Sequence, residues 1–245
     1  MTTSRPSDNA FIILLNGPMH CGKTKLTNYL KSLYPKLVDR RIKDRIHELV
    51  MQIFSVPEDV YFEHYENKNL KDTPTPLYTV TGEAFNKLLD SMMDNDAKLH
   101  YVPPSVLHQL TPRQAMIYVS DVICKPTFGK DYFGHERAKA ILENEWAIDD
   151  SCGFKEELPP TLDRIGQDNT LLIRIHTGEE FNAKDDSRKL IPRGIIDNTF
   201  DVTNNKEENT LEDYILRATD IVTQFIYERE YIHAKASEPL KKLTL

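Results

Sequence analysis

Phe11-Ile12-Ile13-Leu14-Leu15 precedes Gly17-Pro18-Met19-His20-Cys21-Gly22-Lys23-Thr24, and the reading of these two stretches decides the fold. Five consecutive apolar residues predict a strand buried on both faces. Leu26, Tyr29, Leu30, Leu33 and Tyr34 then recur at helical spacing, which predicts an amphipathic helix. Between strand and helix lies a complete G-x-x-x-x-G-K-[ST] pattern, in the setting that gives it physical meaning. Gly17 and Gly22 permit a turn tight enough for several N–H groups to face inward. The helix starting near Lys23 adds its positive end, so the loop is suited to cradle a polyphosphate. Lys23 would reach the β and γ phosphates, and the Thr24 hydroxyl would ligate Mg²⁺.

Length and charge bound the rest. The 245 residues suffice for one α/β domain with insertions. With 31 basic against 38 acidic residues, the formal charge of −7 disfavours a nucleic-acid-coating surface while permitting a local basic pocket. The expected partner is small. Cys21, Cys124 and Cys152 are odd in number and unpaired in spacing, which predicts reduced thiols in a cytoplasm. Residues 1–9 are polar and read as a disordered extension. No run approaches the length of a membrane span, so neither a signal peptide nor a membrane partner is expected. The eight histidines have no metal-ligand spacing.

Along the chain, Tyr34-Pro35 ends the first helix, and Ile42, Ile46, Leu49, Val50 and Ile53 mark a second. Arg40, Arg41, Lys43 and Arg45 crowd its start, where the helix dipole disfavours cations. This suggests a bound anion, with a solvated charged face as the alternative. Residues 56–81 read as an irregular insertion. Phe85, Leu88, Leu89, Met92 and Met93 predict a helix, and Thr111-Pro112-Arg113-Gln114 predicts another, opened by a capping box that places Arg113 at its start. Trp146-Ala147-Ile148 predicts a strand ending in Asp149-Asp150, where a carboxylate could serve Mg²⁺. Asp149 and Asp150 are expected to differ, one near the metal and the other capping the strand end or contacting an acceptor. Leu171–Ile175 and Phe200–Val202 predict two more strands, separated by a polar segment, about 177–198, with Lys184, Arg188, Lys189 and Arg193. That segment reads as a mobile cover or as a solvated loop. A capped helix from Thr210 through Phe225 follows, with a tail beyond about residue 230. Strands separated by helices predict a parallel sheet flanked by helices.

Taken together, these motifs resemble the nucleoside monophosphate kinases, most of all the deoxynucleoside monophosphate kinases of bacteriophages. The resemblance covers most of residues 10–228. It rests on the 17–24 loop, Lys43-Asp44, Thr111-Pro112-Arg113, Phe128 to Phe133, Asp149-Asp150 before Gly153-Phe154, Asp186-Ser187-Arg188 and Asn204-Asn205. Only the loop is specific by itself; order and spacing supply the rest. The resemblance implies an α/β P-loop NTPase fold over residues 10–230, with a helical NMP-binding insertion at about 35–110 and a lid at about 177–198. It implies ATP and Mg²⁺ as cofactors, with ATP on Gly17, His20, Cys21, Gly22, Lys23, Thr24 and Asn205. Lys23, Arg188 and Arg193 would act on the transferring phosphoryl group, and Thr24 and Asp149 on the metal. A deoxynucleoside 5′-monophosphate would meet Arg41, Lys43, Arg113, Asp150 and Phe154. Ser151-Cys152 stand where related kinases run straight from the strand-end Asp to Gly-Phe, so the match to Asp149 or Asp150 is open.

The reading is therefore a Mg-ATP-dependent cytoplasmic kinase acting on a deoxynucleoside monophosphate, with homodimerisation and base preference left open. A small-metabolite kinase and a P-loop ATPase driving an assembly or conformational partner are its rivals.

Overall fold

The computed structural model describes residues 10–92, 100–178, 189–205 and 210–236, with 233–236 described by backbone alone. The chain divides into two compact units, Met1–Arg41 with Gly134–Leu245, and Ile42–Phe133. The second unit thus begins and ends later than the insertion boundaries of about 35 and 110 expected from sequence.

The first unit is built on a five-stranded sheet. Its strands are β1 (Phe11–Asn16), β2 (Leu37–Asp39), β5 (Trp146–Asp149), β6 (Thr170–His176) and β7 (Asn198–Thr203), in the order β2-β5-β1-β6-β7. All four pairings are parallel, with Ile13 opposite both Ile148 and Leu171. Every residue of central β1 is buried, as an uninterrupted apolar run requires. Alternate β1 residues enter two cores. Phe11, Ile13 and Leu15 pack with Leu26 and Leu30 of α1 (Lys23–Leu33) and with Tyr214, Ala218, Val222 and Phe225 of α9 (Leu211–Ala236). Ile12 and Leu14 pack with Ile141, Leu158, Ile191 and Ile196, and with Ile165 of α8 (Pro159–Ile165). Truncating a fully buried leucine such as Leu14 to Ala would cost about 2–5 kcal/mol. Of the predicted α1 stripe, Tyr29 and Leu33 are exposed, so that helix buries a narrower face than its spacing suggests.

The second unit has its own core. It contains α2 (Ile42–Phe54), α3 (Glu58–Glu66), α4 (Gly82–Ser91), α5 (Pro112–Ile117), a π-helical turn over Tyr118–Cys124 and α6 (Lys125–Phe128). β3 (Thr79–Thr81) and β4 (Leu107–Gln109) form an antiparallel pair. Thr111 caps α5 with the predicted box: its hydroxyl accepts from Gln114 N, and the Gln114 side chain accepts from Thr111 N. Tyr61, Tyr78, Phe85, Leu88, Val119 and Phe133 fill the core. α7 (Tyr132–Ala140) leads back to the first unit.

Several elements lack a sequence counterpart. α3 lies inside the stretch expected to be irregular; Glu58 and Asp59 favour its first turn, but only Tyr61 is buried, so its apolar period is faint. β2 buries only Leu37. α9 continues to Ala236, past the expected start of the tail at about residue 230. Met93 and residues 1–9 lie outside the described residues, as do residues 179–188 of the expected lid. Among the described residues, no helix is long and apolar enough to cross a membrane.

Candidate active site

Parallel strands send their carboxyl ends to one edge, and the segments that leave β1, β5 and β7 meet there. The first is the 17–24 loop. A Cβ on Gly17 would lie 2.7 Å from Cys21 Sγ and 3.0 Å from Ile175 Cβ, so only glycine permits this approach. Gly22 takes φ 90° at the start of α1, a left-handed conformation that glycine adopts without strain. His20 is also left-handed, at φ 62°. This non-glycine conformation costs of order 1 kcal/mol and marks a loop held by its surroundings.

Lys23 is only 9% exposed, and a buried ammonium requires acceptors. It finds them inside the loop. Its Nζ donates to Gly17 O at 2.7 Å and to Pro18 O at 2.6 Å, and lies 3.4 Å from Cys21 Sγ. Thr24, in the first turn of α1, donates from Oγ1 to Asp150 Oδ2 at 3.0 Å. Asn204, just past β7, donates from Nδ2 to Cys21 O at 2.9 Å, and its own N–H bonds to His176 O at 2.7 Å. The fully buried ring of Tyr214 lies beneath Gly22, where a Cβ would come 3.1 Å from its Cε1.

Asp149, the metal candidate from sequence, is occupied otherwise. It is fully buried in an ion pair with Arg137, whose Nη1 donates to Asp149 Oδ2 at 2.6 Å. Asp149 Oδ1 accepts from Ser151 N at 2.7 Å and from Ser151 Oγ at 2.5 Å. Arg137 is completed by Thr161 Oγ1 and Glu157 O. Burial disfavours its charge, but Asp149, Cys152 and Glu157 together outweigh that and hold the guanidinium above its ordinary pKa. The next residue, Asp150, carries the carboxylate that faces Thr24. At a strand end successive side chains point to opposite sides, so neighbouring carboxylates receive different partners.

The remaining candidates are distributed over the two units of the chain. Of the basic cluster before α2, Arg40 is bound to Glu145 through Nε and Nη2, both at 2.7 Å, and is thereby part of the scaffold. Arg41 and Lys43 are half-buried, Arg41 closing the first unit's N-terminal segment and Lys43 in the first turn of α2. In the second unit, Arg113 donates from Nε to Asp72 at 2.7 Å, and burial together with the Arg113 charge lowers the pKa of neighbouring Lys71. Phe154 is half-buried beyond the Asp150 turn. Asn205 packs near Gly178, and Asn204 contacts the loop at Cys21 O. Arg193 is paired with Asp201, which also meets His176 at 2.5 Å and Arg174 at 3.3 Å. Arg188 lies outside the described residues.

Sequence reading missed Arg137, the contact of Asn204 with the loop, Tyr214 and Asn16. Their roles arise from contacts between distant segments; only the Asn204-Asn205 turn carried a local signal. The hard-oxygen pair of Thr24 and Asp150 suits Mg²⁺, which needs few protein ligands when phosphate supplies others. Among the described residues, no group of three or more His, Cys, Asp or Glu gathers as a metal site. No family model matches the chain, and no curated protein matches it.

Proposed function

We propose that this protein is a Mg-ATP-dependent kinase of P-loop fold that transfers the γ-phosphoryl group of ATP to a deoxynucleoside 5′-monophosphate, giving ADP and the diphosphate. One juxtaposition carries the reading: a glycine-framed loop between the central strand and its helix encloses Lys23, while Thr24 from that helix faces Asp150 from the neighbouring strand end. Thr24 and Asp150 would hold Mg²⁺, which would supply charge neutralisation to the polyphosphate.

The acceptor phosphate is already nucleophilic at neutral pH, so catalysis needs placement and charge more than a general base. Loop N–H groups bind the polyphosphate, and Lys23 exchanges Gly17 O and Pro18 O for phosphate oxygens. Asn204 and Tyr214 hold the loop from beneath, limiting its reorganisation. Arg41, Lys43 and Arg113 are the proposed acceptor cations, and Arg188 and Arg193 the lid cations. For Arg193 this requires leaving Asp201.

ADP release, followed with ATP and each candidate acceptor in turn, deoxynucleoside monophosphates and neutral metabolites alike, tests the proposal. Acceptor-dependent release that falls on the order of 10²-fold or more in Lys23→Ala supports it. Release independent of any acceptor points to an ATPase, and release only with a neutral metabolite points to a small-metabolite kinase. Either result sinks the nucleotide-kinase reading.

A further inference from the structure

Asn16, the last residue of β1, has a fully buried side chain in which both polar atoms are bonded. Oδ1 accepts from Ile191 N at 2.7 Å, and Nδ2 donates to Lys189 O at 3.1 Å and to Cys152 O at 3.2 Å. Lys189 N donates to Gly153 O at 3.1 Å, closing a ring of contacts through Asn16, Cys152, Gly153 and Lys189. The position of this ring matters. The β1–β5 ladder ends at Leu14 opposite Asp149, just before the chain of β1 enters the Gly17 loop and that of β5 delivers Asp150. The bond from Asn16 to Cys152 carries the tie past the end of the ladder.

Few other side chains could do this. The ring needs one acceptor and two donor hydrogens at the end of a short, neutral side chain, which is the inventory of Asn. Aspartate would set a buried negative charge against two carbonyl oxygens, and an apolar residue would strand three backbone groups.

We propose that Asn16 is a positioning residue that fixes the spacing between the 17–24 loop and Asp150, and through it the joint action of Thr24 and Asp150 on a magnesium-bound polyphosphate. This role rests on the phosphate-binding reading of the loop. It does not require that the acceptor be a nucleotide.

Full-length Asn16→Ala and Asn16→Asp proteins test it. Calorimetry with ATP should show metal-free affinity retained in Asn16→Ala, while the Mg²⁺ needed for tight binding rises about 10- to 100-fold, the usual effect of losing a group that orients metal ligands. Hydrogen exchange at Ile191 should accelerate. In Asn16→Asp the burial and facing carbonyls raise the carboxyl pKa, so lowering the pH restores an O–H donor and the defect relative to wild type at the same pH shrinks. A lower melting temperature with unchanged Mg²⁺ requirement and turnover in folded protein would overturn the proposal. If Asn16→Ala does not fold, wild-type exchange decides: the Lys189 and Ile191 amides should gain protection with Mg-ATP over ATP alone, and equal protection rejects the role. A raised Mg²⁺ requirement without transfer to any deoxynucleoside monophosphate keeps Asn16 in its role and rejects the acceptor instead.

Discussion

Thr24 and Asp150 stand 126 positions apart in the chain, and the hydroxyl of one donates to the carboxylate of the other at 3.0 Å. Neighbouring Asp149 makes no part of this contact; its carboxylate belongs to Arg137 and Ser151. Asp150→Asn should therefore keep the melting temperature near wild type while turnover falls or the Mg²⁺ requirement rises by about 10- to 100-fold. Steady-state kinetics across a Mg²⁺ series, beside a thermal melt, checks this. Full activity at limiting Mg²⁺ would remove Asp150 from the metal.

The Arg137–Asp149 pair should behave in the opposite way. Both side chains are completely buried, so removing either partner leaves an uncompensated charge, at a cost of about 3–5 kcal/mol. Arg137→Ala and Asp149→Leu should each lower stability strongly in urea unfolding. The double variant Arg137→Met/Asp149→Leu should recover much of the loss, because no lone charge remains. Additive single losses in the double variant would contradict the pairing.

Arg113 and Asp72 form an exposed pair, with side chains 40% and 59% exposed. Such a pair contributes about 0–1 kcal/mol, so Asp72→Ala should barely shift the melting temperature. If the Arg113 guanidinium must exchange Asp72 for the acceptor phosphate, Asp72→Ala lowers the acceptor KM and Arg113→Ala raises it, with the KM for ATP little changed in either. Unaltered acceptor KM in both variants, with a destabilised Arg113→Ala, would place Arg113 in the scaffold.

Burial pushes the Cys152 thiol up to about 12, with Asp149 and Glu157 adding to the effect and Arg137 opposing it. An unfolded cysteine ionises near about 8.5, so between about pH 9 and pH 12 the folded chain retains a proton that the unfolded chain releases. Stability then falls as pH rises through that window, by at most about 1.4 kcal/mol per pH unit for this group, and is unaffected below it. Burial also raises the Tyr61 and Tyr214 phenols, which steepens the loss above about pH 10. Urea unfolding from about pH 8 to about pH 10.5 should show a shallower decline for Cys152→Ala than for wild type. Parallel curves would mean that Cys152 ionises alike in both states.

The sequence alone determined the central unit. Phe11–Leu15, the Gly17–Thr24 pattern and the Leu26–Leu30 spacing are consecutive, and buried strand, glycine turn and amphipathic helix each follow from local periodicity and backbone freedom. The Thr111–Gln114 and Thr210–Asp213 caps were legible for the same reason, since their partners are three residues away. Weakly amphipathic α3 and edge strand β2 were not, because each buries too few side chains to imprint a period. Only the tertiary structure decided which aspartate faces Thr24, because Asp149 and Asp150 are alike in sequence and differ through Arg137, Thr161 and Glu157, which arrive from other segments. It also decided that Asn204 meets Cys21, and that Asn16 joins β1 to Cys152, Lys189 and Ile191. These bonds satisfy buried polar groups across more than a hundred residues of chain, and packing selects such partners where local propensity has no reach.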